Sequence, residues 1–146
     1  MKALVWLRAD RWEGTIAAAR GLLPADAEVV LLHVADAGAE LAAELPRAGL
    51  LGRRPPPPPR PVEEISDAAA AELLVAARER IGRAASTEAR RGRLEREVLD
   101  AAEGFDVLLC ARDGELDHRG PHSLAPPTRF VVDHAPCAVL LVWPRP

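Results

Sequence analysis

Four short runs of apolar residues, separated by helix-like stretches, constrain this chain more than any other feature. They are Ala3–Leu7, Glu28–Val34, Phe105–Ala111 and Cys137–Trp143. Each is about five to seven residues long and rich in Val and Leu, with no clean alternation of apolar and polar positions. A strand with one wet face alternates; a strand covered on both faces reads as a continuous apolar run. The runs therefore predict parallel strands buried between two layers.

The intervening stretches carry helical spacing. From Trp12 to Leu23, residues Ile16, Ala17, Ala19, Leu22 and Leu23 form an apolar face, Pro24 closes it, and Asp10 is the expected N-cap. Asp36 to Leu51 gives a weaker helix, interrupted by Pro46. Glu63 to Ala85 is the strongest, with Ile65, Ala69, Leu73, Ala77 and Ile81 at steps of four. Arg93 to Glu103 repeats the pattern with Leu94, Val98 and Ala102, and Gly104 stops it. Pro126 to His134 forms the last helix, with prolines in the first turn, where they are tolerated. Between Ser86 and Gly92 the polar segment Thr87–Arg91 falls where the alternation needs a strand, so it is expected at a sheet edge. Strands alternating with helices imply a three-layer α/β/α domain, a parallel sheet with right-handed crossovers.

Composition narrows the class. A length of 146 residues suits a single domain spanning 1–146, and 49% hydrophobic content supports a core. Nineteen basic against 22 acidic residues leave a net charge of −3, which argues against a nucleic-acid partner. Two cysteines cannot build a disulfide framework, so a cytoplasmic location is expected. No apolar run approaches the ~20 residues that cross a bilayer, so no membrane association is expected. The first eight residues lack the pattern of a signal peptide. Residues 52–61 hold five consecutive prolines, Pro55 to Pro59, a polyproline II spacer of about 15 Å. It reads as a stiff surface connector; its flanking arginines also suit docking to an aromatic groove.

Three segments, Leu31-Leu32-His33-Val34, Phe105-Asp106-Val107-Leu108-Leu109-Cys110-Ala111 and His134-Ala135-Pro136-Cys137-Ala138-Val139-Leu140-Leu141-Val142, together resemble a universal stress protein domain. The resemblance runs from Lys2 to Trp143 and is weakest from Pro46 to Pro61. It implies a Rossmann-like sheet of five parallel strands in the order 3-2-1-4-5. It also implies a homodimer paired through the last strand, and an ATP crevice at the carboxyl ends of strands one and four. That crevice agrees with the general rule for open α/β sheets.

Two motifs of the ATP-binding members have lost residues here. Where they end strand one with an acid, this chain has Arg8, then Ala9 and Asp10. A guanidinium accepts no hydrogen bond and holds neither metal nor ribose. Where they carry a glycine-rich loop closed by Gly and Ser or Thr, this chain has Ala111-Arg112-Asp113-Gly114 and later Ala125-Pro126-Pro127. Proline offers no N–H to a phosphate at a helix start. Losing two such bonds to a charged group removes roughly 3–6 kcal/mol, or about two to four decades of affinity. A second alignment places Gly120 and Ser123 in the loop, at altered spacing.

The resemblance thus implies a non-catalytic stress-response module with a degenerate nucleotide site and no resident cofactor. The alternative is a nucleotide or anion sensor, or a weak ATPase, using a rearranged loop. Ligand-binding candidates are Arg8, Asp10, Val34, Arg91, Ala111, Arg112, Gly114, Ser123 and Thr128. Arg8, Arg90, Arg91 and Arg112 all fall at the carboxyl edge of the sheet. They either capture an anion directly or pair with Asp10, Asp36, Asp113 and Glu115, and pairing is the simpler expectation. Asp113, Glu115, Asp117, His118 and His122 match neither a helical metal face nor a calcium loop and read as a polar loop. His33 and His134 read as structural. Cys110 and Cys137 are expected at opposite ends of parallel strands, as free buried thiols. No nucleophile elbow or P-loop is present, and Lys2 is the sole lysine. On the last strand, Val139, Leu141 and Trp143 share one face, an apolar edge that needs a partner.

Overall fold

The computed structural model describes residues 1–38, 62–113 and 123–143. Strands and helices alternate: β1 (Lys2–Leu7), α1 (Trp12–Leu22), β2 (Glu28–Asp36), α2 (Val62–Ile81), β3 (Ser86–Gly92), α3 (Leu94–Ala102), β4 (Val107–Ala111), α4 (Pro126–His134) and β5 (Ala138–Val142). The five strands form one sheet in the order β3-β2-β1-β4-β5, and every neighbouring pair is parallel. The order reverses at β1, with β2 on one side and β4 on the other. A crevice therefore opens at their carboxyl ends. No described helix is long and apolar enough to cross a membrane.

The continuous apolar runs follow from two covered faces. Ala3, Val5 and Leu7 of β1 pack under Ile16 and Ala19 of α1 and Leu74, Ala77 and Ile81 of α2. Leu4 and Trp6, pointing the other way, pack with Leu94 and Val98 of α3 and Val131 of α4. Both faces of β1 exclude water from Ala3 to Leu7, so none of those five positions tolerates a polar residue.

The polar segment at 86–92 is a strand. It registers against β2 from Val30↔Ser86 to Asp36↔Gly92, and its Arg90 bonds Glu88 at 2.6 Å. Charge on an unpaired edge discourages pairing with other chains. The opposite edge, β5, is apolar.

Some expected boundaries move. α2 ends at Ile81 rather than Ala85, because Gly82 takes φ +68° and breaks the helical path. Asp10 does not cap α1. Arg11 is the N-cap residue, with no side-chain cap, and the Asp10 carboxylate accepts from Arg11 Nε at 3.0 Å instead. The helix expected over Asp36–Leu51 and the proline connector lie, beyond residue 38, outside the described residues.

Both cysteines are free. Cys110 sits opposite Leu141, whereas Cys137 precedes the Val107↔Ala138 pair, so the thiols occupy opposite ends of β4. Cys110 is buried, but Cys137 is only half-buried, since β5 has a neighbour on one side alone. His33 Nδ1 lies 2.9 Å from the Leu7 carbonyl, tying the ends of β1 and β2. His134 Nδ1 lies 2.8 Å from the Phe130 carbonyl, and its ring stacks on Phe130.

Candidate functional site

The crevice is built where β1 and β4 end. Arg8 follows the last residue of β1, and Arg112 and Asp113 follow the last residue of β4. Facing them is the start of α4. Its N-cap is Ala125, in extended conformation, and Pro126 and Pro127 occupy its first two positions. Proline suits that turn because its φ is already helical. The cost falls on anion binding: of the four amides exposed at a helix start, two carry no hydrogen, leaving those of Ala125 and Thr128.

Asp113 takes up one of these amides and the Thr128 hydroxyl. Its Oδ1 accepts from the Ala125 N–H at 3.0 Å. Its Oδ2 accepts from Thr128 Oγ1 at 2.5 Å and from Arg8 Nη1 at 3.1 Å. The Asp113 side chain is 3% exposed. A buried carboxylate demands paired, charge-assisted bonds, and it has three. It also sits at the positive end of the α4 dipole, where negative charge is favoured. Asp113 is thus a cap supplied by another element of the fold.

Arg112 lines the β5 side. Its backbone N–H donates to Val142 O at 2.9 Å, extending the β4–β5 ladder. Its guanidinium lies 4.0 Å from the centre of the Trp143 ring, a cation–π distance. Its Nη2 donates to Ser123 O at 3.5 Å, and its Nε is buried without an acceptor among the described residues. Arg11 Nη1 donates to Arg112 O at 3.3 Å.

The structure therefore brings Arg8, Thr128, Arg112 and Ser123 to one place and leaves other candidates apart. Asp10 is exposed and engaged by Arg11. Val34 is buried in the core beside Leu32, and Ala111 is buried on the opposite face. Arg91 lies on the edge strand, two strands from β1, bonded to Asp67 at 2.5 Å. Gly114 lies outside the described residues, as do Glu115, Asp117, His118 and His122. Arg8, Arg90 and Arg91 are each held by an acid: Asp113, Glu88 and Asp67. Glu88 and Asp67 differ from Asp10, Asp36, Asp113 and Glu115, the acids expected beside these arginines. Among the described residues, no three His, Cys, Asp or Glu side chains gather to hold a metal ion.

A cleft of about 420 Å³ lies at the other end of the sheet, lined by Asp26, Arg78, Arg83 and Ser86 among others. Arg83 Nη2 is engaged there by the carbonyls of Pro24 and Ala25. It borders the amino ends of β2 and β3, whereas ligands of open α/β sheets bind at the carboxyl ends.

No protein-family model matches the chain, and no curated protein matches it. Solved structures do. The universal stress protein UspA from Lactobacillus plantarum is similar over 97% of this chain and 97% of its own, with TM-score 0.61 and 23% identity. A universal stress protein in complex with cAMP matches 99% of this chain and 98% of its own, at TM-score 0.61 and 12% identity. A universal stress protein family protein from Arabidopsis thaliana, with AMP bound, matches 99% of this chain and 92% of its own, at TM-score 0.55 and 15% identity. The chain has the universal stress protein fold.

On that fold, Asp113 pairs with Arg8 as one of the expected acids, yet it was not among the ligand-binding candidates. It was visible only as one of several acids able to neutralise Arg8. The signal lay in two positions read together: a cation just past strand one and an acid just past strand four, adjacent strands in the order 3-2-1-4-5. Cys110 also ends close to this crevice. Burial, and then the Asp113 charge, push its thiol up to about 12. It is a packed core residue, not a nucleophile.

Proposed function

We propose that this chain is a non-catalytic, dimeric regulatory module on the universal stress protein fold, with its nucleotide crevice closed. Two solved proteins of this fold are in complex with cAMP or have AMP bound. The observation that carries the reading is the buried Asp113 carboxylate at the start of α4. A phosphate there would meet two prolines without N–H groups, a third amide already engaged, and a fixed negative charge. Two unit charges 4 Å apart repel by about 4 kcal/mol at an effective dielectric of 20.

The dimer reading rests on the two edges of the sheet. β3 carries charges; β5 reads Ala138-Val139-Leu140-Leu141-Val142, with Leu141 at 37% and Trp143 at 45% exposure. A second copy pairing its own β5 across a two-fold axis would cover that edge. Unpaired thiols fit a reducing compartment such as the cytosol. Light scattering should give twice the 15.7 kDa chain mass; a stable monomer at micromolar concentration would contradict the dimer. Purified protein should carry no nucleotide by absorbance ratio and mass spectrometry.

A second reading, a sensor holding a nucleotide or other anion through a rearranged loop, draws on the buried Arg112 Nε, a donor without an acceptor among the described residues. A nucleotide that copurifies would favour it over the closed crevice.

A further inference from the structure

We infer that Asp113 is a tethered ligand mimic: its carboxylate occupies a small-oxyanion site formed by Arg8, Thr128 and the start of α4, and thereby seals it. This rests on the closed-crevice reading and supplies its cause.

The site is defined by donors. An N–H from Ala125, a hydroxyl from Thr128 and a guanidinium N–H from Arg8 converge on two oxygens at 3.0, 2.5 and 3.1 Å. Thr128 is fully buried, and Asp113 nearly so. Such a set suits a carboxylate or any oxyanion with two free oxygens. Two further buried donors belong to residues close in sequence to the site, Trp6 and Arg112. Trp6 shares its sheet face with Arg8, whose guanidinium carbon lies 5.9 Å from the Trp6 ring centre. Trp6 is 2% exposed, and its indole N–H has no acceptor among the described residues. The Arg112 Nε is in the same condition. Three donors converging on one buried carboxylate is the pattern of a bound anion. Here the anion arrives on the chain, two residues past the end of β4.

The mimic is covalently attached, so its effective concentration is that of an intramolecular partner. An external anion must either displace it into water or crowd a second negative charge beside Arg8. Removing the carboxylate should therefore uncover the site.

The test is the full-length Asp113→Ala variant, which lacks just the carboxyl group, with formate as the replacement. Thermal unfolding is followed in sodium formate and in sodium chloride at equal ionic strength. The variant should show a saturable upward shift of its midpoint in formate over chloride, while the wild-type protein shows none. Absence of a formate-specific shift would overturn the inference. If the variant does not fold in chloride, refolding in formate is measured instead: recovery by formate alone supports the mimic, and no recovery overturns it. Asp113→Asn fills the same space without charge and should not respond. An Asn variant that responds as strongly as the Ala variant would place formate elsewhere and overturn the inference. Tight MgATP binding by the wild-type protein would defeat the closed crevice itself. A silent wild type with an unresponsive Asp113→Ala variant would defeat the mimic alone.

Discussion

Arg8 and Arg91 stand at the same edge of the sheet, each bound to an aspartate, and they differ in what surrounds that partner. The Arg91–Asp67 pair is the closer, at 2.5 Å against 3.1 Å for Arg8–Asp113. Yet the Asp67 side chain is 71% exposed and the Asp113 side chain 3%. The two arginines are themselves about equally exposed. Water screens an exposed pair to about 0–1 kcal/mol. Stranding one charge of a buried pair costs about 3–5 kcal/mol, because the remaining ion keeps its desolvation penalty. Burial of the acid, rather than distance, separates a solvated surface contact from a buried structural one.

The largest expected effect is at Arg8. Arg8→Met leaves the Asp113 carboxylate buried with two donors and should lower stability by about 3 kcal/mol in urea unfolding. A loss below about 1 kcal/mol would erase the distinction drawn between the two pairs. Thr128→Val removes one hydrogen bond to the same carboxylate and should cost about 1.5–2 kcal/mol. Asp67→Ala, at the exposed pair, should change stability by less than about 1 kcal/mol; a larger loss would show that exposure has been misjudged as the controlling variable.

The last effect, absent at neutral pH, concerns Cys110. Its thiol titrates near 12 when folded, against an ordinary 9.0, chiefly through desolvation. Between those values the unfolded chain has already lost the proton that the folded chain keeps. This contribution to stability is therefore complete below pH 9 and falls as pH rises toward 12. Cys110→Ala should flatten that alkaline decline. At pH 8, thiol reagents should spare Cys110 and reach the half-buried Cys137 first.

Much of this fold was legible along the chain. Continuous Val- and Leu-rich runs mark strands covered on both faces, and the pattern from Leu4 to Leu7 needs nothing beyond itself. The polar edge strand was legible from alternation alone, since Thr87–Arg91 has no apolar signal. Pro126 and Pro127 announced a helix start poor in donors, and the structure puts them in the first two positions of α4. What escaped was long-range or conformational. Arg8 and Asp113 are 105 positions apart in sequence, and a choice among several acids is made only by packing. The end of α2 depended on Gly82 adopting positive φ, four residues before the apolar periodicity suggested a stop. Asp10 has the right chemistry for a cap, but its neighbour Arg11 takes the cap position and the carboxylate with it.

Calorimetric titration of the wild-type protein with MgATP tests the closed crevice most directly. The account predicts no saturable heat at micromolar nucleotide, because the helix start that would receive phosphate already holds Asp113. A dissociation constant in the low micromolar range would contradict it.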